Sequence, residues 1–290
     1  MLIYLNGKLV EKDKAVVSVF DHGLLYGDGV FEGIRSYDGL IFKMKEHIDR
    51  LYRSADAIQL KIALSKDEMT KAVIETLKAN KLTGAYIRLV VTRGIGDLGL
   101  DPRKCKTATI FIITDKIKLY PKEFYQNGLE LVTAKTTRNP VSALDPRIKS
   151  LNYLNNILGK IDAIKAGTEE AIMLSNDGYV AECTGDNIFM VKGGKLFTPP
   201  ADVGALEGIT RDAVIKLSSH VGIGFEEKLL KLDEFYSADE VFLTGTAAEI
   251  IPVVAIDKRK IGDGMPGKTT LALWEEFKKL TKTDGVRYAM

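Results

Sequence analysis

Cysteine is scarce: Cys105 and Cys183 are the only two in 290 residues, far apart and without metal spacing. That excludes a disulfide scaffold and suits a reducing compartment. Three histidines with no H-x-x-x-H pattern give no basis for a zinc site built by the protein. No run reaches the ~18 apolar residues of a membrane-spanning helix. The alternating start, Leu2-Ile3-Tyr4-Leu5, lacks the basic and apolar regions of a signal peptide, so the cytoplasm is the expected location. An excess of one charge is missing too. The 41 Lys+Arg nearly balance 39 Asp+Glu, leaving a formal +2, and the two signs interleave. No field strong enough to gather nucleic acid results.

What remains is an ordinary globular composition, 46% hydrophobic and 28% charged. The length suits about two domains. Asn6-Gly7 between two strand-like runs signals a hairpin. A glycine-rich stretch over 21–33 leads to a strand at 34–37, an Asp38-Gly39 turn and a strand at 40–44. Apolar spacing predicts a helix over 45–57, with Ile48, Leu51, Tyr52 and Ala55 on one stripe. Ser65 and Glu68 form a capping-box pattern that opens a second helix through Leu77. Strands at 85–92 and 107–114 follow. The expected architecture is α+β, with an N-terminal domain over 1–117, a polar connection over 118–128 and a second domain over 129–290. In that second domain a strand is predicted at 129–135. A helix is predicted over 151–166, with Leu151, Leu154, Ile157, Leu158 and Ile161 at helical spacing, Ser150 as N-cap and Gly167 as C-terminal cap. A β-meander over 170–198, helices over 210–220 and 268–280 and a strand at 240–244 complete it.

Several residues could carry chemistry. Lys149 stands just before a predicted helix, where the dipole favours anions over cations; alone, it reads as a solvated surface lysine. Glu182 ends an apolar strand, and a buried carboxylate needs a partner. A pyridinium nitrogen would supply one, and so would a structural ion pair. Gly208-Ile209-Thr210 and Gly245-Thr246 lie in turns whose free N–H groups and hydroxyls suit a phosphate dianion; each is equally an ordinary Thr cap. Arg50 could add charge from its helix. Tyr86 and Arg88 alternate along a strand and leave the same face, where they could grip a carboxylate or simply edge a sheet. Gly27-Asp28-Gly29-Val30-Phe31-Glu32-Gly33 is one residue off the dinucleotide fingerprint. It also lacks the strand-turn-helix context, so that reading is rejected.

In order, these segments resemble the class IV aminotransferases, the pyridoxal phosphate enzymes of fold type IV. The resemblance rests on 26–35, His47-Ile48-Asp49-Arg50-Leu51, Tyr86-Ile87-Arg88, Lys149-Ser150-Leu151-Asn152-Tyr153, Glu182 through Asn187, 208–212 and Thr244 through Glu249. It runs from about residue 2 to about residue 280. The forms at 31–37 and 86–88 are most similar to branched-chain amino acid aminotransferases. Relatives that act on D-amino acids or eliminate pyruvate from aminodeoxychorismate share the cofactor residues and differ around 31–37 and 86–100.

The resemblance implies a small N-terminal α/β domain and a larger C-terminal pseudo-barrel domain. It implies pyridoxal phosphate carried by Lys149, which would also shuttle the proton between the substrate Cα and the cofactor's C4′. Glu182 would pair with the pyridine nitrogen, and Tyr153 would contact the phenolic oxygen. Arg50, Gly208, Ile209, Thr210, Gly245 and Thr246 would hold the phosphate. Tyr26, Phe31, Gly33, Tyr86, Arg88, Thr246 and Ala247 would frame the substrate. The partners implied are amino acids and 2-oxo acids, with the chain working as a homo-oligomer, at least a dimer and as large as a hexamer. The glycine-rich loop over 94–102 can, in this family, cross to a partner's site.

Overall fold

The computed structural model describes residues 1–116 and 120–289. The chain forms two compact units. One comprises Met1–Lys118, Ile148–Asn152 and Thr281–Met290; the other comprises Leu119–Arg147 and Tyr153–Leu280. The units are therefore not two uninterrupted stretches. Ile148–Asn152, which includes Lys149, belongs with the first.

In the first unit, β1 (Leu2–Leu5) and β2 (Lys8–Glu11) form the hairpin that Asn6-Gly7 signals. Both turn residues have positive φ, 47° and 88°, as a two-residue primed turn requires. A short helix α1 (His22–Tyr26) interrupts the glycine-rich stretch, which the sequence did not foretell. Asp21 caps it by accepting from the Gly23 N–H, and Gly27 closes it at φ 68°. β3 (Gly29–Tyr37), β4 (Leu40–Phe42), α2 (Met44–Ala57), α3 (Lys66–Ala79), β5 (Ala85–Thr92) and β6 (Thr109–Asp115) follow. Ser65 and Glu68 make the predicted capping box of α3. The sheet order is β4-β3-β5-β6-β1-β2, with β16 (Gly285–Arg287), from the chain's far end, pairing on β4. β5 is thus central between β3 and β6, not an edge strand. One face of the sheet packs Ile34, Ile41, Ile87, Leu89 and Ile112 against Met44, Ile48 and Leu51 of α2 and Met69, Val73 and Leu77 of α3. Each such side chain, fully buried, contributes roughly 1.5–3 kcal/mol.

The second unit begins with α4 (Lys122–Asn127) and β7 (Leu129–Thr133). Part of the expected polar connection is therefore helical. Residues 118 and 119 of that connection lie outside the described residues. Then come α5 (Leu154–Ala166), β8 (Glu170–Leu174), β9 (Val180–Cys183), β10 (Asn187–Lys192), β11 (Lys195–Thr198), α6 (Ile209–Ser218), β12 (Gly224–Glu227), α7 (Leu232–Tyr236), β13 (Glu240–Gly245), β14 (Glu249–Ile256), β15 (Arg259–Lys260) and α8 (Lys268–Leu280). The sheet runs β12-β11-β10-β13-β14-β7-β8-β9, with β15 on β14, and mixes parallel with antiparallel pairs. Leu131, Ile172, Ile188, Leu243, Ile251 and Phe235 centre its core.

α5 departs from its expected start. Tyr153, not Ser150, is its N-cap, with no side-chain cap bond. Ser150 instead bridges Val30 in the first unit's sheet. The apolar stripe of α5 also faces outward: Leu154, Ile157, Leu158, Ile161 and Ile164 are exposed, while Asn156, Gly159 and Ala163 are buried.

Candidate active site

In the first unit, the segment 148–152 is laid against the start of β3. The Phe31 N–H donates to the Lys149 carbonyl at 3.0 Å, and the Leu151 N–H to the Gly29 carbonyl at 2.9 Å. The Lys149 N–H donates to Ser54 Oγ of α2 at 3.1 Å. A Cβ on Gly29 would press into Leu151 Cδ1 at 2.7 Å, so glycine lets the segment approach. With its backbone pinned on both sides, Lys149 sends Nζ to 4.5 Å from the centroid of the Phe31 ring.

Arg88 reaches the same ring from β5, its guanidinium carbon 4.7 Å from the centroid. Arg88 Nη2 donates to the Tyr86 hydroxyl at 3.0 Å. A Cβ on Gly33 would collide with that hydroxyl, so glycine there makes the space it occupies. The register explains the grouping: Gly33 pairs with Arg88 and Phe31 with Val90. Lys149, Phe31, Gly33, Tyr86 and Arg88 are brought together. Tyr26 is placed differently. It is exposed, its hydroxyl donates to the Leu98 carbonyl at 2.5 Å, and His22 meets its ring edge-on. It anchors the glycine-rich loop.

The other side of β3 carries a buried charge cluster. Arg50 Nε donates to Glu32 Oε1 at 2.7 Å and Nη2 to Oε2 at 2.8 Å. His47 Nδ1 donates to the same Oε2 at 2.8 Å. Burial alone would raise the Glu32 carboxyl. The charge and hydrogen bonds of Arg50, and then those of His47, outweigh it and bring the pKa down to about 2. Burial pushes His47 down, helped by the Arg50 and Lys149 charges against the pull of Glu32. Glu32 was not singled out in the sequence. The signal was there: a carboxylate inside a strand buried over nearly its whole length requires a cation.

In the second unit, Glu182 is 5% exposed at the end of β9. The structural ion pair exists: Arg138 Nε and Nη2 donate to Oε1 at 2.9 and 2.7 Å. Oε2 accepts from the Leu206 N–H at 2.9 Å and Asn187 Nδ2 at 3.3 Å. Arg138 Nη1 also donates to Asn155 Oδ1 at 2.8 Å and Asn156 Oδ1 at 3.2 Å. Arg138 thus ties Glu182 to the first turn of α5, where Tyr153 is the cap. It lies 44 residues before Glu182, and no sequence spacing links the two.

Two turns of this unit test the fit to a cofactor phosphate. Gly208 is the N-cap of α6 and makes no side-chain cap bond to the first turn, which contains Ile209 and the buried Thr210. The N–H groups there are thus left to an anion. A Cβ on Gly208 would collide with the Asn187 side chain, and one on Gly245 with the Asp186 carboxylate. Both turns therefore come close to the 186–187 segment only because they are glycine. Beside the second, Thr244 Oγ1 is buried with no hydrogen-bond partner among the described residues. A tight backbone, an uncapped helix start and an orphaned hydroxyl fit a phosphate-bearing cofactor. Thr246 and Ala247 occupy the turn between β13 and β14. No group of His, Cys, Asp and Glu among the described residues could hold a metal ion.

The sequence model for amino-transferase class IV matches residues 29–256. The chain belongs to the class IV aminotransferases. This aminotransferase is 55% identical over 287 residues to a putative branched-chain-amino-acid aminotransferase of Methanocaldococcus jannaschii, covering 99% of each chain. Its fold matches the crystal structure of the Escherichia coli branched-chain amino acid aminotransferase with TM-score 0.94 at 37% identity, over 97% of this chain and 94% of that one. It matches the branched-chain amino acid aminotransferase of Thermobaculum terrenum, solved in its PLP form, with TM-score 0.88 at 33% identity, over 98% of this chain and 94% of that one. No helix among the described residues is long and apolar enough to cross a membrane.

Proposed function

We propose that this class IV aminotransferase uses pyridoxal phosphate to move the amino group of L-leucine, L-isoleucine or L-valine to 2-oxoglutarate. The observation that carries it is the pair of cations on one aromatic ring. Lys149 Nζ lies 4.5 Å and the Arg88 guanidinium 4.7 Å from the Phe31 centroid. An amine for the chemistry and a guanidinium for a carboxylate share an apolar wall, which suits an aliphatic side chain in one half-reaction and glutamate in the other. The full-length relatives named for branched-chain amino acids support the substrate class.

When bound, the cofactor supplies an electron sink, effective while its ring nitrogen stays protonated. The chain's own residues do the rest. Lys149 would carry the cofactor and would hold and move the proton taken from the substrate Cα. Glu182, oriented by Arg138, would hold the cofactor's ring nitrogen in its protonated form. Tyr153 meets the phenolic oxygen. The N–H groups of Ile209 and Thr210, with Gly208, Gly245 and the Thr210 and Thr246 hydroxyls, bind the phosphate. Arg50, fixed by Glu32, adds positive charge. Gly33, Tyr86, Arg88 and the Thr246-Ala247 backbone frame the substrate with Phe31. Tyr26, tied to the 94–102 loop, frames it from that loop.

The test is an absorption spectrum of the holoenzyme before and after substrate. L-leucine should depress the visible cofactor band while the pyridoxamine form rises, and D-alanine should not. A response to D-alanine alone would overturn the substrate class. Release of pyruvate from aminodeoxychorismate would identify the lyase instead.

The chain works in the cytoplasm as a homo-oligomer, at least a dimer. The support is the outward stripe of α5, from Leu154 at 66% exposed to Ile164 at 64%, more apolar surface than water tolerates well. Replacing Ile157 and Ile161 by Glu should lower the mass measured by light scattering to that of a smaller assembly. An unchanged mass would clear this face of the role.

A further inference from the structure

We propose that Tyr125 and Trp274 are positioning residues that hold the Thr246-Ala247 turn in shape for the cofactor phosphate. This rests on the placement of the phosphate at Thr246 proposed above. Trp274, the chain's single tryptophan, lies on α8, and Tyr125 on α4. Their rings stack, with centroids 5.4 Å apart and planes 17° apart. Each ring directs its one polar hydrogen to a neighbouring residue of the same turn. The Tyr125 hydroxyl donates to the Ala248 carbonyl at 3.2 Å. Trp274 Nε1 donates to Glu249 Oε2 at 3.2 Å. Two bonds from one stacked pair thus fix the two residues that follow Thr246-Ala247.

The turn needs holding. Glu249 is buried yet has φ 58°, a left-handed conformation that costs a residue with a Cβ and persists only where its surroundings enforce it. It is also the point where the chain re-enters the sheet, pairing with Gly245. A shift at Glu249 therefore moves the residues between. The platform behind the clamp is firm. Lys278 Nζ lies 4.1 Å from the Trp274 ring centroid, and α8 packs on α6, the helix whose first turn carries Thr210.

Tyr125→Phe and Trp274→Phe each remove one hydrogen bond and keep an aromatic ring in the stack. The measurement is the affinity of apo-protein for pyridoxal phosphate and for pyridoxal, which lacks the phosphate, read from the visible band on titration. Each variant should weaken pyridoxal phosphate about fivefold, the worth of one neutral hydrogen bond. The double variant should weaken it more, and pyridoxal should bind within about twofold of the parent throughout. Equal losses for both ligands would reduce the pair to a fold-supporting role and overturn the proposal, as would no loss for either. Thr246→Ala separates the two layers. If it leaves pyridoxal phosphate affinity intact, the phosphate placement fails and the clamp falls with it. If it weakens binding while the aromatic variants do not, the clamp alone fails.

Discussion

Lys149→Ala should lower the rate of amino transfer from L-leucine by at least about a thousandfold, since on the role proposed above it removes both the amine that carries the cofactor and the base that moves the Cα proton. The loss should be chemical and not structural. Two main-chain bonds hold residue 149 in place: its N–H donates to Ser54 Oγ and its carbonyl accepts from the Phe31 N–H. Alanine keeps both. The side chain gives up its place 4.5 Å from the Phe31 centroid, a contact worth about 0.5–1 kcal/mol at a partly exposed site. The melting temperature of the apo-protein should therefore move little. Steady-state rates and a thermal melt on one preparation separate the two effects. A variant within about tenfold of the parent rate would remove Lys149 from the chemistry, whatever its neighbours.

The local signals in the sequence were strong where the physics is local. Asn6-Gly7 and Asp38-Gly39 turn with positive φ at both residues, because a primed turn leaves no other geometry. The Ser65–Glu68 box starts α3, and the terminal helix spans 268–280 as its spacing predicts. The site was legible only in its parts. Lys149, Glu182, Thr210 and Thr246 stood out as residues needing an explanation, but their partners are set by tertiary pairing. Arg138 has no spacing relation to Glu182, and Glu32 meets Arg50 only because α2 packs on β3. α1 was hidden for another reason. Its composition, His-Gly-Leu-Leu-Tyr, is poor for a helix, and the Asp21 cap and Gly27 close hold only a few residues between them. On α5 the period gave the helix but not its direction, since an apolar stripe reads the same whether it meets a core or a surface.

Glu32→Gln should destabilise the first unit by about 3–5 kcal/mol, because it takes away the carboxylate paired with the Arg50 guanidinium in a site only 3% exposed. At about 2–4 °C per kcal/mol the melting temperature should fall by roughly 10 °C. The pH dependence supplies the sign. Burial pushes the Glu32 carboxyl up, but Arg50 and then His47 overcome it, and the pKa drops from its ordinary 4.5 to about 2 in the folded chain. A depressed carboxyl stabilises the fold above its unfolded pKa, and that stability drains as pH falls through the folded value. The parent should therefore lose about 3 kcal/mol between about pH 4.5 and about pH 2 through this group. The Gln variant should lack that share of the acid slope. Removing both partners, Glu32→Leu with Arg50→Met, leaves no stranded charge and should recover most of the melting temperature. On the phosphate role proposed for Arg50, it should still weaken pyridoxal phosphate. A double variant as unstable as Glu32→Gln would mean that the cluster is needed for its shape, not for the cancellation of its charges.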